Sequence, residues 1–324
     1  MKETGSFIEM QFRKGMALYK DGPDVIALNS GRAAIYHAFR CTGADCIYLP
    51  YYQCDTVRDF LLKKNVKIKY YYINSEFEPI LDGNEPNSAV LLVNYYGVMS
   101  GGRMKRLAGK YKNVIIDNSQ AFFSKPLENC MNVYSARKFV GVPDGAYVVG
   151  KNAGRFEYEQ GYSSDTALFL LQRIEYGCEG KTYESRMVNE HRIDSEDIKK
   201  MSPLTRAILD GTDYQNIIDR RRENFSAARA LFDKINRLDI GAFCDDETVP
   251  MVYPLVAEDD GLLGVLLEHK HFQGHWWSYL LDEVAEDTFE YYISRYVIPI
   301  TIDQRYNGDD IKEIYSVVKE RVQR

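Results

Sequence analysis

An aspartate, Asp117, closes the apolar run VIID, and a lysine, Lys138, lies three residues beyond the end of the next apolar run, NVYS. A carboxylate at the end of a buried strand needs a partner, because an unpaired buried charge is costly. One reading is an Asx-type cap on the strand end, since the polar residues Asn118, Ser119 and Gln120 follow. The other pairs the acid with a cationic ring nitrogen or a metal. A single acid with no paired histidine argues against the metal. Lys138 reads either as a surface lysine in the basic loop SARK or as an imine-forming nucleophile in a partly dry pocket. Ser135 could bind an anion at the start of that loop. GVPDG then makes a tight turn that would fix the backbone of the lysine.

A second candidate lies upstream. Ser30 and Gly31 form a turn between the short strand Val25–Leu28 and a helical pattern from Arg32 to Phe39. Free N–H groups at such a helix start make a ready phosphate site. The plain alternative is an N-cap by Ser30, and this turn carries neither GxGxxG nor GxxxxGK. Arg305 in DQRY could grip a carboxylate with both arms, or pair with Asp303 or cap the final helix. His275 and Trp276 in QGHWW could line a substrate entrance. Otherwise the tryptophans are core or interface residues. His37 reads as packed within its helix.

These groups must be positioned by alternating strands and helices. The predicted strands are Cys46–Leu49, Val66–Ile73, Ala89–Asn94, VII, NVYS and AYVVG; the intervening helices cover Thr56–Lys64 and about Gly102–Tyr111. Nearly all-apolar strands between helices predict a mostly parallel sheet. A short N-terminal helix is expected over Ser6–Tyr19. Ser164–Tyr176, Lys181–Lys200 and about Tyr214–Ile235 read as helices, the last bridging to a second, smaller α/β unit. The chain thus divides into a large domain, 1–205, and a bridging helix with a small C-terminal domain, 206–324.

With 324 residues the chain can bury a large core. Its 41 basic and 47 acidic residues give a net charge of −6. Mixed charge of this kind argues against a nucleic-acid surface, and the Arg220–Arg222 run reads as a solvated or salt-bridged helix face. Six cysteines without a CxxC pair suggest free thiols in a reducing, cytoplasmic setting. No apolar run approaches 18 residues, so no membrane span is expected.

Taken together, NSGRAAIYHAF (29–39), LPYYQCDTV (49–57), VIIDNSQAFF (114–123) and VYSARKFVGVPDGAYVV (133–149) resemble the fold type I family of pyridoxal-phosphate (PLP) enzymes. More narrowly they resemble the DegT/DnrJ/EryC1/StrS sugar aminotransferases, as does IPITIDQRYNGDDI at 298–311. The resemblance implies a three-layer α/β/α fold with a mostly parallel central sheet and a smaller C-terminal α/β domain. It makes Lys138 the lysine that tethers PLP and shuttles a proton, and Asp117 the partner of the pyridine nitrogen. Gln120 would sit near the ring, and Ser135 with the N–H groups of Gly31 and Arg32 would bind the phosphate. Alignment puts Cys54 where the family stacks an aromatic on the ring, so Tyr51 or Tyr52 is expected to substitute. The reaction implied moves an amino group from an amino acid, glutamate by analogy, to a keto acceptor, often a nucleotide-linked keto-sugar in this group. Another PLP reaction type, or an inactive binding protein of the same fold, are the alternatives. The group's dehydratases carry histidine in place of the lysine, so Lys138 speaks against that branch. A homodimer with shared active sites is implied, with residues 155–200 as the candidate contact.

Overall fold

The computed structural model describes residues 4–322. Its centre is an eight-stranded sheet: β1 (Val25–Leu28), β2 (Cys46–Pro50), β3 (Lys67–Ile73), β4 (Pro79–Ile80), β5 (Ser88–Val93), β6 (Val114–Asp117), β7 (Met131–Ser135) and β8 (Ala146–Val149). The spatial order is β1-β8-β7-β6-β5-β2-β3-β4. The five inner strands β7, β6, β5, β2 and β3 run parallel, while β8 is antiparallel to both β7 and β1. Every residue of β5, β6 and β7 is buried. This explains why SAVLLV, VIID and MNVYS carry apolar residues without alternation.

The helices are α1 (Gly31–Thr42), α2 (Asp55–Lys63), α3 (Gly101–Ala108), α4 (Leu168–Tyr176), α5 (Lys181–Ser195), α6 (Pro203–Asp210) and α7 (Tyr214–Phe232). The smaller unit pairs β9 (Val252–Val256) with β10 (Val297–Thr301) and adds α8 (Leu262–Glu268), α9 (Leu280–Glu283), α10 (Phe289–Tyr296) and α11 (Gly308–Val322). Helix α1 packs across β6, β7 and β8, and α7 packs on β9 and α11. The architecture is mixed α/β, a central sheet with helices plus a smaller domain, as expected.

One element departs from the sequence reading. No helix forms over Ser6–Tyr19; the segment is irregular. Its backbone reaches Asp210 at the end of α6 instead, with Met16 N–H donating to the carbonyl at 3.0 Å and Gly15 N–H to the carboxylate at 3.0 Å. Backbone donors that would close helical turns are satisfied by a residue almost 200 positions away. Gly5, Ser6 and Gly15 also have positive φ, which interrupts any helix.

Candidate active site

The ends of the parallel strands gather the sequence-predicted residues. Asp117 ends β6, opposite Val93 on β5 and Val133 on β7. It is buried, and one carboxylate oxygen accepts the Ser119 N–H at 2.9 Å. Among the described residues the other oxygen has no hydrogen-bond partner, so the Asx-type turn uses half of the carboxylate only. Ser135 ends β7, and a short 3-10 turn, Ala136–Lys138, follows it. Lys138 is exposed, and among the described residues its ammonium has no carboxylate partner.

The two turns that flank the lysine are tied together. Gly145 N–H donates to the Asn29 carbonyl at 2.9 Å, and Ala136 N–H donates to the Gly145 carbonyl at 3.1 Å. The turn before α1 is thereby fixed against the hairpin that carries Lys138. At the start of α1, Ser30 Oγ accepts the Ala33 N–H. The N–H groups of Gly31 and Arg32 have no acceptor among the described residues. A Cβ at Gly31 would stand 3.4 Å from Ser119 Oγ and 3.9 Å from Ser135 Cβ. Two helix-start amides and two serines therefore surround a space that glycine keeps open. This donor set suits a phosphate dianion. The Arg32 side chain turns away and pairs with Asp194 of α5 at 2.5 Å.

Gln120 is held by its amide oxygen, which accepts the Tyr96 N–H at 2.6 Å. Tyr96 follows β5 in a left-handed conformation, with φ at 57°. Tyr52 is 0% exposed, and its hydroxyl shares a 2.5 Å hydrogen bond with that of Tyr96. Burial raises the pKa of both phenols, so this pair stays protonated. Tyr51 is not brought to the site. Its ring stacks on Tyr70 at 5.0 Å and lies 4.5 Å from Tyr72, lining a separate crevice with Arg58 and Tyr279.

A cavity of about 570 Å³ opens beside Ser135 and Lys138. Trp276 forms part of its wall, with Lys138 Nζ 5.9 Å from the indole centroid. His275 lies next to it in sequence but points elsewhere, its Nδ1–H donating to the Val297 carbonyl at 2.9 Å. Arg305 also borders the cavity, yet both arms hold Asp303, at 2.8 and 2.7 Å. The pairing alternative is thus the one found, which leaves Arg305 its Nη1 amino group and one N–H of Nη2 to offer a ligand.

Three further arginines border this cavity, and the sequence reading placed none of them at a site. Arg221, the middle of the run read as a solvated face, is 2% exposed. It donates to the Met251 carbonyl at 2.9 Å, the Pro250 carbonyl at 3.2 Å and Gln304 Oε1 at 3.1 Å, and lies over the Phe139 ring at 4.5 Å. Burial lowers its pKa to about 10 despite Asp303 nearby. Arg137 pairs with Glu190 of α5, and its buried Nε has no partner. Burial pulls its pKa down as well. With Arg186, the wall carries five cationic side chains against two carboxylates, Glu190 and Asp303. A helical period marks Arg221 as inward-facing, but three consecutive arginines conceal it.

Neither a protein-family model nor a curated protein matches the sequence. Solved structures do match in fold. The sugar aminotransferase CalS13 from Micromonospora echinospora superposes with a TM-score of 0.62 at 15% identity, covering 91% of this chain and 87% of that one. A DegT DnrJ EryC1 StrS aminotransferase from Brucella abortus gives 0.60 at 12% identity, covering 93% and 86%. The E. coli GDP-4-keto-6-deoxy-D-mannose-3-dehydratase with bound hydrated PLP gives 0.60 at 13%, covering 90% and 87%. At these identities the likeness is one of fold. The chain has the fold type I architecture of PLP-dependent transferases.

Proposed function

We propose that the chain is a PLP-dependent aminotransferase related to the DegT/DnrJ/EryC1/StrS group. The observation that carries this reading is Asp117 and Lys138 at the ends of adjacent, paired parallel strands, beside a glycine-lined cradle with two unengaged helix-start amides. The residues present fit PLP. Gly31, Arg32, Ser119 and Ser135 would hold the phosphate, Asp117 the ring nitrogen and Lys138 the aldehyde carbon. When bound, PLP supplies an electron sink for a carbanion next to nitrogen.

The roles of the protein groups follow from their surroundings. The unpaired Asp117 oxygen would accept the pyridinium N–H and so favour a protonated ring nitrogen. Lys138 borders the cavity and, among the described residues, has no carboxylate partner, so its amine could take and return a proton at the substrate carbon. Gln120, fixed through its oxygen, leaves its NH₂ group to donate toward the site. The cationic wall selects anionic partners: an amino acid donor, glutamate, and an acceptor carrying negative charge, of which a nucleotide-linked keto-sugar is the proposed class.

The proposed assembly is a homodimer. Helices α4 and α5 expose Leu168, Leu171, Ile174, Met187 and Val188, with Ile174 at 84%. Exposed apolar side chains on two helices that pack together favour a protein contact here. It lies next to the cavity, which Phe169, Leu170 and Arg186 of the same helices border.

The test is PLP addition to the purified chain. A visible absorbance band forms, is absent from Lys138→Ala, and bleaches on addition of the true amino donor. A wild-type chain that stays colourless, or a band that survives in Lys138→Ala, defeats the reading. A band that no amino acid bleaches leaves the cofactor but removes the amino transfer.

A further inference from the structure

We infer that Trp276 is the aromatic plate against which the cofactor ring packs, supplied by the small domain and not by the loop after β2. This rests on the reading of the cavity as a PLP site. The chain has two tryptophans, and they are adjacent. The structure separates their tasks. Trp277 sets its ring edge-on against buried Tyr52, with centroids 4.4 Å apart. On the other side His275 is hydrogen-bonded to the Val297 carbonyl at 2.9 Å. Trp276 is thus held between two anchors, and its indole borders the cavity shared by Ser135 and Lys138.

The backing of that indole is equally defined. Its ring stacks on Tyr96, with centroids 5.3 Å apart and planes at 23°. Tyr96 is fixed at three points: its N–H by Gln120, its hydroxyl by Tyr52 and its carbonyl by the Met251 N–H at 2.8 Å. Gly97 follows with φ at 73°, and a Cβ there would collide with the Gln120 carbonyl, so the turn allows only glycine. The plate therefore rests on the same residue, Gln120, that follows Asp117 by three positions.

The loop after β2 offers no such plate, and of the aromatic residues bordering the cavity, Phe169, Phe272 and Trp276, the indole is the one within cation–π reach of Lys138 among the described residues. Tyr51 is stacked among Tyr70 and Tyr72, Tyr52 has no exposed surface, and Cys54 has its thiol against Thr56 Oγ1 at 3.1 Å. Indole is the side chain best suited to lie against a cationic ring. Its nearness to the Lys138 ammonium, 5.9 Å from centroid to nitrogen, shows that it already faces a cation here.

The experiment measures PLP affinity by visible absorbance and the circular dichroism of the same band, in wild type, Trp276→Phe, Trp276→Leu and Tyr51→Leu. Trp276→Leu weakens binding about tenfold and diminishes the dichroism, Trp276→Phe stays within about threefold, and Tyr51→Leu binds as wild type. Trp276→Leu binding as tightly as wild type, with unchanged dichroism, overturns the inference while the band's dependence on Lys138 keeps the cofactor reading intact. A colourless wild type overturns both. Should Trp276→Leu not fold, the Trp277→Phe chain retains one indole, whose N–H resonance shifts on PLP addition. A resonance that does not move overturns the inference.

Discussion

Ser202 Oγ donates to the buried carboxylate of Asp144 at 2.8 Å, and the Ser202 N–H donates to the same carboxylate at 3.0 Å. Thr205 adds a third donor. Asp144 thus joins the turn after Lys138 to the first turn of α6, where Ser202 is also the N-cap. Asp144→Ala leaves these donors buried without an acceptor. A loss of about 3 kcal/mol is expected, measured from the urea midpoint, together with weaker PLP binding because the lysine turn loses its tether.

Asp117→Asn tests the ring partner. The amide oxygen still accepts the Ser119 N–H, so folding stability stays within about 1 kcal/mol. Turnover falls by on the order of a hundredfold, because an amide no longer stabilises a protonated ring nitrogen. Full turnover in this variant would remove Asp117 from that role.

Gly31→Val tests the phosphate cradle. The added carbons enter the space between Ser119 and Ser135. PLP affinity drops by about tenfold or more, whereas pyridoxal, which lacks the phosphate, binds as it does to wild type. Equal losses for both would mean that the cradle holds something other than phosphate.

His37 makes the fold acid-sensitive. It is buried, with Nε2–H donating to the Ala153 carbonyl at 2.7 Å and Nδ1 2.8 Å from the Tyr158 hydroxyl. Burial lowers its pKa from 6.5 to about 4. The unfolded chain therefore binds the proton first as pH falls. The stability contributed is complete above pH 6.5 and lost down to about pH 4, amounting to about 3 kcal/mol. In His37→Gln the fall in urea midpoint over this range flattens; an unchanged slope would assign the acid sensitivity to other groups.

Ile174→Asp tests the assembly. At 84% exposure the side chain supports nothing within its own subunit. The substitution leaves the unfolding of the single chain within about 0.5 kcal/mol and shifts the sedimenting species to monomer. A wild-type chain that sediments as a monomer with its cofactor bound would exclude the dimer.

Much of the fold is legible in the sequence because strands buried on both faces do not alternate: VII, NVYS and AYVV stand out as β6, β7 and β8. Turn chemistry likewise marks Ser30, whose hydroxyl caps α1. What fails are features decided by distant partners. The expected helix over Ser6–Tyr19 gives way to hydrogen bonds to Asp210. Tyr51 belongs with Tyr70 and Tyr72 because β2 and β3 are neighbours, which spacing within the loop does not encode. Arg221 is inward because carbonyls of Pro250 and Met251 await it, 29 and 30 residues on. The helix period, with Ile217 and Phe225 four residues to either side, does put Arg221 on the buried face of α7, but the flanking arginines mask that signal.

Helix α5 grips the inner machinery at two places, Asp194 on Arg32 and Glu190 on Arg137, while its Tyr183, Met187 and Val188 look outward. Whatever covers the outer side steadies both grips, and whatever tightens the grips presents a firmer outer side. In the proposed dimer, thermodynamic reciprocity would link the two events: dilution is expected to loosen the hold on the proposed coenzyme, and its removal to shift the chain toward single copies.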